Sequence, residues 1–158
     1  VGFLLPALIV VLLDQISKHF FWTLGKNFDV IDGLFRITLV RNSGAAFGML
    51  QGGRVFLIAA SVAASMFIIF LAERIDPADR AKRVFLGMIL GGALGNLIDR
   101  LYPGHVIDFI DMGLASHRWP VYNLADTAVT VGGALLVINF AMKRESKPEP
   151  SVPDPTAE

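Results

Sequence analysis

The chain has 158 residues, of which 54% are hydrophobic and 18% charged, and a mean hydropathy of +0.58, a balance too apolar for an ordinary soluble domain. Its 14 basic and 14 acidic residues cancel, so no cationic excess points to a nucleic-acid partner. It contains no cysteine, which excludes thiol nucleophiles, thiolate metal sites and disulfides together. The sequence begins at Val1 rather than at Met, from which a short missing N-terminal piece is expected.

Crossing a bilayer by α-helix takes ~20 mostly apolar residues, and four stretches meet or approach that length. The first is predicted over about 2–22. It is too long for a signal-peptide core, contains Asp14 and Lys18, and lacks a small-x-small cleavage site, so a retained span is expected. The hairpin signal comes next: Phe28 to Ile31 and Leu34 to Arg41 flank Asp32-Gly33, a dipeptide suited to a tight turn, and Phe35, Ile37 and Leu39 alternate with Arg36, Thr38 and Val40. An antiparallel β region over about 28–50, lying on the membrane surface, follows from that pattern.

The second span, about 55–72, holds no charge. The third has only 15 uncharged residues, Val84 to Ile98, and reaches spanning length, about 84–102, only if the helix continues through Asp99 to Tyr102. Residues 103–120 mix apolar and polar side chains and predict a short interfacial loop or helix. The fourth span, about 121–142, carries one charge, Asp126, and Pro120 is placed at its start, where a missing N–H costs a helix nothing. The fold class is therefore an all-α membrane protein of four transmembrane helices with a small extracytoplasmic sheet, one polytopic domain over 1–143. Residues 144–158, rich in Pro, Glu, Ser and Asp, are expected to form a disordered cytoplasmic tail. Seven cationic residues follow spans two and four, against Lys26, Arg36, Arg41, Arg54 and Arg118 on the other side with Arg100 at the boundary; both termini are accordingly placed in the cytoplasm and the hairpin outside.

An ionisable group within the hydrocarbon costs about 2.5–3.5 kcal/mol on insertion scales, so each needs a partner or a task. Asp14, Lys18, Asp99, Arg100 and Asp126 share one depth in this topology, with Asp126 about two turns into span four, and Asp108 could fold back to the same level. Asp14 and Lys18, four residues apart, read first as a structural ion pair. Asn96 and an adjacent Asp99–Arg100 pair read first as helix glue, with substrate positioning as the alternative, and the run Gly87, Gly91, Gly92, Gly95 permits close helix approach. Asp108 and Asp126 differ in having no cation at local helical spacing. Two desolvated carboxylates brought together can share a proton, one activating water while the other polarises a carbonyl. By spacing alone Asp111 competes with Asp108. His105, Asp108, Asp111 and His117 match no strong metal signature, and Ser116 with His117 lacks a nucleophile turn. A small proton or ion transporter using the same polar residues, and a purely structural subunit, are the rival readings.

Five motifs in sequence order, Asp14-Gln15-Ile16-Ser17-Lys18, Arg41-Asn42-Ser43-Gly44-Ala45-Ala46-Phe47-Gly48, Gly91-Gly92-Ala93-Leu94-Gly95-Asn96-Leu97-Ile98-Asp99-Arg100, Val106-Ile107-Asp108-Phe109 and Asn123-Leu124-Ala125-Asp126, resemble those of lipoprotein signal peptidase, the bacterial signal peptidase II. The resemblance implies an aspartic endopeptidase of the bacterial inner membrane that takes diacylglyceryl-modified prolipoproteins and cleaves on the amino side of the lipidated cysteine. It implies Asp108 and Asp126 as the catalytic pair and selects Asp108 over Asp111. Asp14, Lys18, Asn42, Gly44, Gly92, Asn96, Asp99, Arg100, Asn123 and Ala125 match positions that shape and support the site, with Asn42 and Arg100 as candidates to hold the substrate backbone. Tyr122 stands where the pattern has Phe. No metal or organic cofactor is implied; the expected partners are the signal peptide and membrane lipids, and a monomer is expected.

Overall fold

The computed structural model describes residues 2–44, 53–114 and 117–145. Four helices run α1 (Leu4–Leu24), α2 (Arg54–Arg74), α3 (Arg80–Leu101) and α4 (Leu124–Glu145), and four strands run β1 (Phe28–Ile31), β2 (Phe35–Asn42), β3 (Val106–Leu114) and β4 (His117–Arg118). Each helix is long and apolar enough to cross a membrane. The outward faces carry leucine, isoleucine, valine and phenylalanine, such as Leu5, Ile16, Phe67 and Val137 at 65%, 63%, 60% and 68% exposure. Such surfaces suit hydrocarbon rather than water, and helices suit it because their backbone polar groups are satisfied internally.

Helix α3 is the centre of the bundle and packs against the other three. Its glycines allow this: a side chain at Gly91 would meet the carbonyl of Ala7 at 2.6 Å, and one at Gly92 would collide with the carbonyl of Ala125 on α4. The third span does continue through Asp99 and Arg100, ending at Leu101. It starts at Asp79, whose carboxylate accepts from the Lys82 N–H at 3.4 Å. Toward the end away from the sheet, Phe3, Ala7, Ile68, Ala72, Leu86 and Leu90 form a buried apolar cluster.

All four strands form one antiparallel layer, in the order β1-β2-β3-β4, at the end of the bundle where α1 and α3 finish and α4 begins. The turn between β1 and β2 spans three residues, with Gly33 at φ 70° and the Leu34 N–H donating to the Ile31 carbonyl at 3.0 Å. Leu34 thus belongs to the turn and not to the second strand.

Two expectations need correction. The interfacial helix or loop expected over 103–120 is largely replaced by sheet: Val106 to Leu114 is its third strand. Its rich β-branched and aromatic content favours an extended form, but both faces are covered, with Val106, Asp108, Phe109 and Asp111 all buried, so no clean alternation marks it. The fourth helix begins at Leu124 and not near Val121. Tyr122 is drawn off by strand pairing, donating to the Ile110 carbonyl at 3.0 Å and accepting from the Ile110 N–H at 2.7 Å, so Pro120 lies in the approach to the helix and does not start it. Residues 45–50, part of the anticipated outer β region, and 146–158, most of the anticipated tail, lie outside the described residues.

Candidate active site

The late start of α4 moves Asp126 into its first turn, closer to the membrane edge than two turns of helix would put it. There it forms a reciprocal cap: the Asn123 side-chain oxygen accepts from the Asp126 N–H at 3.0 Å, and Asp126 Oδ2 accepts back from the Asn123 N–H at 3.3 Å. A carboxylate at a helix N-terminus also meets the positive end of the helix dipole. Its other oxygen, Oδ1, accepts from Asn96 Nδ2 of α3 at 2.8 Å.

Asp108 reaches the same place from the sheet. Pairing of β2 with β3 follows Phe35↔Met112 to Ile37↔Ile110 and then shifts, so that Val40 faces Asp108 and Asn42 faces Val106. The extra residue is a bulge, and its consequence is geometric, because opposed residues on antiparallel strands share a face. Without it Leu39 and Arg41 would occupy those positions. With it, Asn42 lies on the face of Asp108 and donates Nδ2 to Asp108 Oδ2 at 2.9 Å. Asn27 accepts from the Leu39 N–H that the bulge leaves out of the ladder, at 2.9 Å. Asn123 Nδ2 donates to the second oxygen, Oδ1, at 2.7 Å and to Asn96 Oδ1 at 3.2 Å.

Asp108 and Asp126 thus line one cavity of about 630 Å³ together with Asn42, Asn96, Arg100, Trp119, Pro120 and Val121. Thr127, Thr130 and Val131 extend its lining down α4, where Thr130 and Val131 are exposed, so the cleft reaches the surface that faces lipid. Burial pushes the Asp108 carboxyl up to about 6; the hydrogen bond from Asn42 opposes this, the charge of Asp126 adds to it, and Asn123 and Lys18 oppose it less strongly.

Behind the pair lies a buried ionic layer. Lys18 Nζ is 2.7 Å from Asp14 Oδ2 and 2.8 Å from Asp99 Oδ2, and donates to Asn96 Oδ1 at 3.1 Å. Lys18 and Asp14 are 2% and 0% exposed. Asp14 Oδ1 accepts from the Ala125 N–H at 2.9 Å, joining this layer to the first turn of α4. The pairing expected within Asp99–Arg100 is replaced: Asp99 serves Lys18, while Arg100 turns toward the cleft and donates to the carbonyls of Asn96 at 3.2 Å and Gly44 at 3.3 Å. Adjacent residues on a helix point some 100° apart, so neighbours in sequence serve different partners. Gly44 is held in turn by its N–H donating to Asn42 Oδ1 at 2.9 Å. Gly92 and fully buried Ala125 are one point where α3 and α4 touch.

One residue of this layer was not singled out by spacing. Gln15 ties the ionic layer together, donating to Asp99 Oδ1 at 2.9 Å, Asp14 Oδ2 at 3.2 Å and the Gly95 carbonyl at 3.2 Å. Its position next to Asp14 was the only local signal. Asp111 turns away from the pair and binds Thr38 and Arg118, an arrangement set by strand register. Among the described residues no three histidine or carboxylate side chains converge as a metal site.

Four apolar helices carrying a polar, carboxylate-lined cleft beneath a small sheet define a multi-pass membrane enzyme. A sequence model of the signal peptidase (SPase) II family matches residues 6–142. The lipoprotein signal peptidase of Syntrophus aciditrophicus (strain SB) is 39% identical over 155 residues, covering 92% of this chain and 95% of that protein. Two solved bacterial membrane enzyme structures, both obtained in meso, superpose with TM-scores of 0.83 and 0.76 at 33% identity; they cover 95% and 87% of this chain, and 93% and 91% of the respective solved chains. The chain belongs to the signal peptidase II family, and is a membrane peptidase.

Proposed function

We propose that this peptidase is of the aspartic type, that Asp108 and Asp126 are its catalytic pair, and that it removes signal peptides from diacylglyceryl-modified prolipoproteins on the amino side of the lipidated cysteine. The observation that carries the chemistry is the pair itself. Two carboxylates from different elements line one cavity, neither in a salt bridge among the described residues, each held by asparagine donors that fix its direction without neutralising it. With the Asp108 carboxyl pushed up to about 6, the pair holds a proton on Asp108 below that pH, because burial and the nearby negative charge both resist its ionisation.

The ionised member takes a proton from a water molecule as that water attacks the scissile carbonyl carbon, while the protonated member donates a hydrogen bond to the carbonyl oxygen. The resulting tetrahedral intermediate, its oxyanion held by the hydrogen bond from the protonated member, collapses when the carboxyl that gained the proton passes it to the leaving amine. The C–N bond breaks, one water is consumed, and the pair returns to a single shared proton with no acyl-enzyme. Arg100, donating to the Gly44 carbonyl at 3.3 Å beside the cleft, and Asn42 supply donors for substrate carbonyls. The ionic layer of Asp14, Lys18 and Asp99, with Asn96 and Asn123, holds α1, α3 and α4 in the register that sets the distance between the carboxylates.

The substrate assignment rests on family membership and on the shape of the cleft, which continues along α4 to a lipid-facing surface and so admits a membrane-held peptide from the side. The excess of cationic residues at the far end of the bundle supports cytoplasmic termini and a site at the outer face of the bacterial inner membrane. We assign the chain as one polytopic unit acting as a monomer in contact with membrane lipid.

The test is cleavage of a diacylglyceryl-modified prolipoprotein by purified enzyme in detergent, with Asp108→Asn and Asp126→Asn compared against the parent. Each variant is expected to remain folded and to lose at least about 10³-fold in rate. Full activity in either folded variant, or a trapped covalent intermediate, defeats the proposal.

A further inference from the structure

The catalytic pair and its asparagines account for part of the cleft lining; the run Trp119, Pro120 and Val121 forms another part of its wall. This run has no regular secondary structure, and Trp119 is 63% exposed. The width of the cleft depends on where this run sits.

The wall is tied at both ends to β3. On one side the Tyr122 N–H donates to the Ile110 carbonyl at 3.0 Å; on the other the Trp119 N–H donates to the Met112 carbonyl at 2.8 Å. Next to Trp119, Arg118 grips β3 more firmly. Its Nε is 2.6 Å from Asp111 Oδ1 and its Nη2 donates to the Asp111 backbone carbonyl at 2.9 Å. One guanidinium therefore holds the side chain and the main chain of a single residue. Asp111 is 5% exposed and is itself fixed, since its Oδ2 accepts from the Thr38 hydroxyl at 2.8 Å and lies 4.0 Å from Arg36 Nε. The backbones also meet here: a side chain at Gly113 would sit 2.5 Å from the His117 carbonyl and 2.6 Å from Arg118 Cα. Neither Arg118 nor Asp111 lines the cleft, and the proposed chemistry uses neither.

We propose that Arg118 is a positioning residue: by clamping β4 to Asp111 of β3 it sets the Trp119–Val121 wall at the distance from α4 that a substrate backbone requires. This rests on the reading of the cleft as the substrate site. Arginine suits the task because its planar fork engages two acceptors at fixed angles, which a lysine ammonium does not reproduce. Loosening the wall changes how well substrate is held while leaving the Asp108 and Asp126 contacts intact, so the effect belongs in KM and not in kcat.

The experiment measures steady-state cleavage of a diacylglyceryl-modified prolipoprotein by the full chain in micelles, for the parent, Arg118→Met, Arg118→Lys and Gly113→Ala, with Asp126→Asn alongside and melting temperature recorded for each. Arg118→Met is expected to raise KM about five- to tenfold with kcat within about twofold of the parent, and Arg118→Lys to fall between. Gly113→Ala separates the two strands without touching the charge and is expected to give the same KM signature. If Arg118→Met does not fold, Gly113→Ala and Arg118→Lys carry the same comparison. Unchanged KM in the folded variants overturns the positioning role, and so does a fall in kcat and melting temperature with KM unaltered, which marks a purely structural bridge. Retained cleavage in Asp126→Asn strikes at the catalytic pair instead, whatever the Arg118 variants show.

Discussion

Replacing Asp108 by Asn is expected to alter the pH dependence of stability in a way that locates the proton of the proposed catalytic pair. Asp108 is 2% exposed and its carboxyl is pushed from 3.8 to about 6, which corresponds to roughly 3 kcal/mol. Because the folded-state value is the higher one, the folded protein binds more protons than the unfolded chain between pH 3.8 and about 6. The stabilisation from protonated Asp108 is therefore complete below the lower value and is lost as pH rises through the upper one. Asparagine is neutral throughout and removes that slope. It also brings a cost, because its amide must face the Nδ2 donor of Asn42 or Asn123, whose own oxygens are committed to the N–H groups of Gly44 and Asp126. That conflict costs about 1–3 kcal/mol at every pH. Relative to the parent, the variant is thus expected to be less stable near pH 4 and equal or more stable near pH 7, the difference moving by about 3 kcal/mol across that range. Reversible unfolding in mixed micelles, followed through the fluorescence of Trp22 and Trp119, measures it. A difference that does not change with pH, or a slope retained in Asp108→Asn and lost in Asp126→Asn, refutes the assignment of the proton to Asp108.

Other consequences follow from the same geometry. Since the proposed mechanism needs one proton on the pair, kcat/KM is expected to fall about tenfold per pH unit above the Asp108 value of about 6, and a profile flat from pH 5 to 8 contradicts it. Lys18→Met leaves Asp14 and Asp99 facing each other without their cation and is expected to lower stability by about 3–5 kcal/mol in the same unfolding assay. Gly92→Ala places a methyl group against the Ala125 carbonyl and the Val129 side chain, forcing α4 away from α3; it is expected to cost about 1–3 kcal/mol and most of the activity. Gly133→Ala, on the same helix as Asp126 but with nothing within 4 Å of the added carbon, is the control and is expected to be neutral or slightly stabilising.

The four spans were legible in the chain because hydrocarbon imposes one simple rule, a run of apolar residues long enough to cross it, and the polar residues were conspicuous because each breaks that rule at a cost. The ion pair of Asp14 and Lys18 was also local, being four residues apart on one helix. The first hairpin was visible in its turn and its alternation. What spacing could not show was anything decided by register between distant segments. Asp108 was distinguishable from Asp111 only by family resemblance, since both are buried acids on one strand. Their opposite fates come from the pleat, which sends Asp108 to the cleft and Asp111 to Arg118. The third strand was hidden because burial on both faces erases the two-residue period, and the start of α4 was misplaced because Tyr122 has a better use for its backbone in the sheet.

By itself, then, the sequence determined that this is a four-span membrane protein, where its costly polar groups lie along the chain, and which of them lack a local partner. Only the tertiary structure decided that Asn42 reaches Asp108, through a one-residue bulge, and that Asp126 sits in a first helical turn capped by Asn123. It also gave Asp99 to Lys18 and left Arg100 for the cleft. The physical reason is one of range. Solvent preference and helical spacing act within a few residues, whereas strand register and helix contact join residues far apart in sequence, and their outcome depends on every packed atom between them.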